Sequence, residues 1–210
     1  MIFTPVVVDL YHGDGVDSFA TAKRAGLLGV IHKATTGATG RDDAYKRRRP
    51  LATNENLLWG AYHWGTHAIV ADQVQNFLSW AEPDNNTLVA LDYESTPDNQ
   101  MTIDQAREFL TLLGQKLRRK PVIYGGGLLK TGLGGRPDAF FGSHRLWLAQ
   151  FGDNPVVQAS WNNFWLWQYT DGSAGPDKKT VDGIPGNAKG HLDCDHFAGS
   201  ADQLAREWAS

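Results

Sequence analysis

The chain has 210 residues, 41% hydrophobic and 20% charged, with a formal net charge of −3 at pH 7. That size allows one large domain or two small ones, and the charge balance argues against a nucleic-acid binder, which needs a basic face. A single cysteine, Cys194, excludes an intrachain disulfide, and no apolar run approaches transmembrane length, so no membrane insertion is expected.

The first nine residues lack a basic n-region and a signal-length apolar stretch, which predicts synthesis in the cytoplasm without a recognisable signal peptide. β-Branched and aromatic runs predict strands, and helical periodicity predicts the helices between them. In chain order these are a strand at Pro5–Asp9, a helix at Ser18–Ala25 capped by Asp17 or Ser18, and a strand at Gly29–Lys33. A helix at Asp43–Glu55 follows, which Pro50 is expected to kink or split. Its basic cluster, Lys46 to Arg49, reads as a solvated helix face. Next come a strand at Leu58–Trp64, a helix at Ile69–Trp80, a strand at Thr87–Glu94 and a helix at Thr102–Leu117, opened by Thr102 with acids in its first turn. After a strand at Pro121–Tyr124 the helical signal fades into glycines and turns between Gly125 and Gly135. Strands at Leu146–Phe151 and Phe164–Tyr169, a Gly/Pro/Lys loop at Asp171–Lys189 that includes Lys178, a strand at Leu192–Phe197 and a helix at Ala201–Trp208 complete the chain. Four β-then-α units followed by strands with little helix between them predict an α/β fold. It is an incomplete, TIM-like β/α barrel forming one domain over residues 1–210. An open doubly wound sheet would need helices after the later strands.

The chemistry concentrates at Leu91-Asp92-Tyr93-Glu94. On a strand, Ala90, Asp92 and Glu94 share one face, so two carboxyls stand side by side at the end of an apolar run. Such a pair resists ionising together, which suits an enzyme that needs one acid protonated and one ionised. Other polar groups close the remaining strands: Asp9, His63, Tyr124, Gln150, Gln168 with Tyr169, and Asp193. In β/α barrels the C-terminal strand ends surround the active site. His63 and His67 are four apart, but His63 ends a strand rather than lying on a helix face. No phosphate-loop motif is present, and the acids flanking Cys194 disfavour its thiolate. No metal or cofactor is expected.

Taken together the segments resemble the family 25 glycoside hydrolases, the N-acetylmuramidases or lysozymes. The resemblance rests on Asp9-Leu10-Tyr11-His12, Lys33-Ala34-Thr35-Thr36-Gly37, Gly60-Ala61-Tyr62-His63-Trp64 and Leu91-Asp92-Tyr93-Glu94. It continues through Pro121-Val122-Ile123-Tyr124, Leu146 to Gln150, Trp167-Gln168-Tyr169 and Leu192 to Phe197. It covers nearly the whole chain, in order. Tyr11 stands where the family has Ser, Asp14 near a usual Gln, Thr36 where Glu is usual and Asp195 where Asn is usual.

The resemblance implies a (β/α)5β3 barrel that cleaves the β-1,4 bond between N-acetylmuramic acid and N-acetylglucosamine with retention. Glu94 would be the general acid, and Asp92 would orient the substrate's own N-acetyl group or act as nucleophile. Asp9 and Asp193 would ring the site. Tyr62, His63, Trp64, Tyr124, Gln150, Gln168, Tyr169 and Lys33 would bind the glycan. The implied partner is peptidoglycan and the place of action the bacterial cell wall, for a monomer that is a phage endolysin or a bacterial lysozyme. An inactive glycan-binding module on the same fold and a chitinase-like enzyme are the alternatives. Intact acids speak against the first. Leu88 and Ala90, where a chitinase-like acid series would continue, speak against the second.

Overall fold

The computed structural model describes residues 6–176 and 179–210; Pro5, at the start of the first predicted strand, and Lys178, in the long loop, lie outside the described residues. The strands are β1 (Val7–Leu10), β2 (Gly29–Thr36), β3 (Gly40–Arg41), β4 (Leu58–Trp64), β5 (Leu88–Asp92), β6 (Val122–Gly125), β7 (Leu146–Ala149), β8 (Leu166–Thr170) and β9 (Asp193–His196). The helices are α1 (Phe19–Arg24), α2 (Asp43–Asn54), α3 (Val70–Ala81), α4 (Ile103–Leu117), α5 (Gly127–Leu133), α6 (Ala139–Gly142) and α7 (Ala201–Glu207).

β1 pairs with both β2 and β9, so the sheet closes into an eight-stranded barrel with the two-residue β3 as an appendage to β2. Seven barrel strands are parallel, and five of them are followed by helix, as a (β/α)5β3 arrangement requires. The last strand is different: β9 runs antiparallel to both β8 and β1. Its N-terminal residue therefore lies at the same mouth as the C-terminal ends of the others. The loop before β9 achieves the reversal by docking on the β1–α1 segment, where Gly15 N donates to Gly186 O and Ser18 N to Gly183 O. Gly186 has φ +78°, and a Cβ there would lie 2.2 Å from His191 O, so the turn requires glycine.

Period-two alternation divides the core. Val7, Ile31, Leu88, Ala90, Val122 and Leu166 fill the barrel, while Val8, Val30, Val89, Leu91, Ile123 and Leu148 face the helices. The α4 stripe of Ala106, Phe109, Leu110 and Leu113 follows helical spacing. Thr102 and Gln105 close a reciprocal capping box at its start. At the barrel's far end Trp208 plugs the interior, its Nε1 donating to Trp59 O.

Three local expectations change. Pro50 does not split α2, which runs unbroken; the carbonyl left without its helical donor belongs to exposed Lys46. The glycine-rich stretch after β6 contains α5 and then α6, the latter capped by Asp138, whose Oδ1 accepts from Phe140 N and Phe141 N. The basic cluster is solvated only in part. Arg48 turns inward to Tyr11 O, Asp14 O and His32 Nε2, and Arg49 binds Ala81 O, Glu82 O and Asp84. Among the described residues, no helix is long and apolar enough to cross a membrane.

Candidate active site

Strand parity decides which side chains reach the mouth of the barrel. On β5 the inward set is Leu88, Ala90 and Asp92, and although the strand ends at Asp92, the bond from Tyr93 N to Tyr124 O carries the alternation on to Glu94. On β1 the inward residues are Val7 and Asp9, and on β9 they are Asp193 and Asp195, with Asp9 directly opposite Asp193 in the register. Asp9, Asp92, Glu94 and Asp193 thus converge on one cleft of about 300 Å³, lined also by Tyr11, Lys33, Tyr62, Trp64, Tyr124, Trp147, Phe151, Gln168 and Asp171.

The cleft walls are held by specific contacts. Tyr124 and Trp147 rings pack 4.5 Å apart, and Tyr62 meets Trp147 edge-on at 6.2 Å. Trp64 Nε1 donates to Thr96 Oγ1 at 2.8 Å, and the Lys33 ammonium lies 4.3 Å from the Trp64 ring centre. Below the mouth, Trp147 Nε1 donates to Asp195 Oδ1 at 2.5 Å. Gln168 Nε2 donates to Asp9 Oδ2 at 2.9 Å, and Tyr124 Oη donates to Gln168 Oε1 at 2.8 Å. Asp92 is buried, and its Oδ1 has no protein hydrogen-bond partner.

The acids are all pushed toward their neutral forms, and burial rather than mutual repulsion is the first cause in each case. Asp92 is raised well above the ordinary range by burial and then by Glu94, with Lys33 opposing. Burial raises Glu94 against the opposing Tyr124 hydroxyl and Lys33. Asp9 is raised by burial and then by Asp193 and Asp195. Asp193 is pushed up to about 7 by burial, then by Asp14 and Asp171. A cleft with these properties retains protons near neutral pH while Lys33 offers one cation against them.

Three residues expected to bind substrate do not line the cleft. His63 lies between inward-facing Tyr62 and Trp64, so it points to the helix layer. There it stacks on Phe109 at 4.7 Å, bonds Thr35 and Gln73 through its two nitrogens, and is pushed down to about 4 by burial. Tyr169 is one residue out of phase with Gln168 and packs in the outer core with Trp167 and Cys194. Gln150 is out of phase with Trp147 and Ala149. It accepts from Lys130 Nζ and donates to Asn154 O, bracing the loop after β7.

Trp147 lines the cleft as a strand-end aromatic, and Tyr11, Phe151 and Asp171 join it without a motif that points to them as binding residues. Parity carried the signal for two of these: Tyr11 is two residues from Asp9, and Phe151 is two and four residues beyond Ala149 and Trp147. Asp171 follows β8 in a loop, where no periodicity points to it. Among the described residues, no group of three or more His, Cys, Asp or Glu is arranged to hold a metal ion.

Comparison with known proteins accords with this geometry. The model of glycosyl hydrolases family 25 matches residues 8–177. Lysozyme M1 of Streptomyces globisporus is 26% identical over 213 residues, covering 94% of this chain and 69% of its own length. The bacterial lysozyme from Streptomyces coelicolor superposes with a TM-score of 0.83 at 25% identity, covering 98% of both chains. A family GH25 lysozyme from Aspergillus fumigatus superposes at 0.80 and 25% identity, covering 99% of this chain and 100% of its own. The chain belongs to glycosyl hydrolase family 25 and is a glycoside hydrolase.

Proposed function

We propose that this hydrolase is an N-acetylmuramidase that cleaves the β-1,4 bond between N-acetylmuramic acid and N-acetylglucosamine in peptidoglycan, with Glu94 as general acid. One observation carries the reading: Asp9, Asp92, Glu94 and Asp193 meet at a single mouth walled by aromatic rings. The lysozyme names of the similar proteins support the substrate class. Residues 1–210 act as one catalytic domain, and the bacterial cell wall is where it works.

Glu94 protonates the leaving oxygen as the bond to the anomeric carbon breaks. Its raised affinity for a proton, caused first by burial, supports that role near neutral pH. The acetamide oxygen of the same sugar attacks the anomeric carbon, and Asp92 accepts the acetamide N–H and steadies the positive charge. The unpartnered Oδ1 of buried Asp92 suits an acceptor for that N–H. Water then attacks the anomeric carbon and displaces the acetamide oxygen, Glu94 takes a proton from that water, and the configuration is retained by two inversions. Tyr62, Trp64, Tyr124 and Trp147 cover sugar faces, and Lys33 balances the acids.

Digestion of purified cell wall tests the reading. Mass spectrometry of the products is expected to find reducing-end N-acetylmuramic acid, and Glu94→Gln is expected to reduce the rate at least 100-fold, the lower end of about 10²–10⁴ for a general acid. Reducing-end N-acetylglucosamine, or a Glu94→Gln variant within a few-fold of wild type, would refute it.

A further inference from the structure

Beneath the cleft a line of hydrogen bonds crosses the barrel from β1 to the end of β5. To one side of it Asp195 Oδ1 accepts from Trp147 Nε1, and the Asp195 carboxyl bears on Asp9 electrostatically. Gln168 Nε2 donates to Asp9 Oδ2 at 2.9 Å, Tyr124 Oη donates to Gln168 Oε1 at 2.8 Å, and the same Oη lies 3.3 Å from Glu94 Oε1. Asp9, Tyr124, Gln168 and Asp195 are all buried.

The direction of this line is constrained. Oδ2 of Asp9 accepts from Gln168, which turns the amide nitrogen of Gln168 toward Asp9 and the amide oxygen toward Tyr124. Tyr124 has a single hydroxyl hydrogen, and the shorter bond takes it to Gln168. A Tyr124 hydrogen turned to Glu94 would favour the carboxylate, but while that hydrogen is held by Gln168 Tyr124 presents an oxygen lone pair, and the 3.3 Å contact becomes a hydrogen bond only when Glu94 itself carries the proton.

We propose that Asp9, Gln168 and Tyr124 form a directed relay that favours the proton-bearing form of Glu94, with Gln168 as a positioning residue acting through Tyr124. The proposal rests on the general-acid reading for its meaning in catalysis but not for its physics. The charged and titratable groups facing Glu94 are Asp92 on its own strand, Lys33 from β2, Tyr124 from β6 and Asp193 from β9. Those facing Asp9 are Asp193 and Asp195 from β9, Asp14 from the following loop, Tyr62 from β4 and Tyr124.

The test is a cycle of Gln168→Met, Tyr124→Phe and the double variant. The Glu94 titration is followed by NMR of protein labelled with carbon-13 at the glutamate carboxyls, the resonance being assigned by its loss in Glu94→Gln. In Gln168→Met the freed hydroxyl turns to the Glu94 carboxylate, so its midpoint is expected to fall by about one pH unit, the scale of one hydrogen bond made to a single protonation state. In the Tyr124→Phe background the same substitution is expected to change nothing. An unmoved or raised midpoint in Gln168→Met, or a shift that persists without the Tyr124 hydroxyl, overturns the relay. Should Gln168→Met not fold, Tyr124→Phe alone still decides by sign. Loss of a lone-pair acceptor lowers the midpoint, and a rise means Tyr124 was donating to the carboxylate. The alkaline limb of the pH–rate profile on solubilised glycan strands is measured alongside. If the NMR midpoint moves as expected but the limb does not follow, the relay stands and the general-acid assignment falls.

Discussion

Asp193→Asn is expected to stabilise the protein in a pH-dependent way while impairing hydrolysis. Asp193 is held at about 7 against an ordinary value of 3.8, mainly by burial. Below about pH 4 the carboxyl is protonated in both folded and unfolded chains and contributes no difference. Between about pH 4 and pH 7 the folded state keeps a proton that the unfolded state releases, so wild-type stability falls as pH rises, and the loss is complete above about pH 7. A shift of about 3 units corresponds to about 4 kcal/mol. Asp9 and Asp14 readjust when Asp193 is neutralised, so the gain should be about 2–4 kcal/mol at pH 8, or roughly 5–10 °C in Tm for a chain of this size. Asparagine keeps the volume and carries no charge to desolvate. The assay is thermal unfolding by circular dichroism of both proteins from pH 4 to pH 8. A gain of equal size at pH 4 and pH 8, or a variant less stable at pH 8, would refute the electrostatic reasoning and leave Asp193 as a packing residue.

Other expectations can be checked independently. Asp92→Asn should cut activity at least tenfold without unfolding the chain, and a 2-fluoro glycoside should leave no adduct on the wild-type protein by intact mass; an adduct on Asp92 would mean a covalent nucleophile in place of acetamide assistance. Peptidoglycan stripped of its N-acetyl groups should be a poor substrate, and full-rate digestion of it would remove the acetamide from the mechanism. His63→Leu removes the partner of buried Thr35 Oγ1 and one of the donors to Gln73 Oε1, which keeps Thr66 N, and should lower stability by about 1–3 kcal/mol with KM unchanged; a tenfold rise in KM for a folded variant would argue that His63 reaches substrate after all. Dialysis against EDTA should leave the hydrolysis rate intact, and a loss restored by a divalent ion would call for a metal.

Much of the architecture was readable because it is written in short-range patterns. Apolar alternation marks each barrel strand, and capping at Thr102 and Ser18 marks helix starts. The Asp92–Glu94 spacing places both carboxyls on one face whatever the strand is packed against. His63, Gln150 and Tyr169 lie outside the cleft lining for one reason: they are out of phase with Tyr62, Trp147 and Gln168, the residues of the same strands that point inward, and polarity at a strand end does not override that parity. The sequence does not mark α5, because glycines at 127 and 132 weaken its intrinsic propensity. It stands because Leu129 is buried against its neighbours.

The sequence by itself determined the strand faces, the acid pair and the order of the β/α units, because each depends only on residues a few positions apart. Tertiary structure alone decided that β9 runs backward, which brings Asp193 to the same mouth as Asp9 and Glu94, since strand direction depends on how a long loop docks far from either end. It also decided the protonation of the site. Burial, the first cause of every raised carboxyl in the cleft, is the sum of all surrounding elements and has no local signature in the chain.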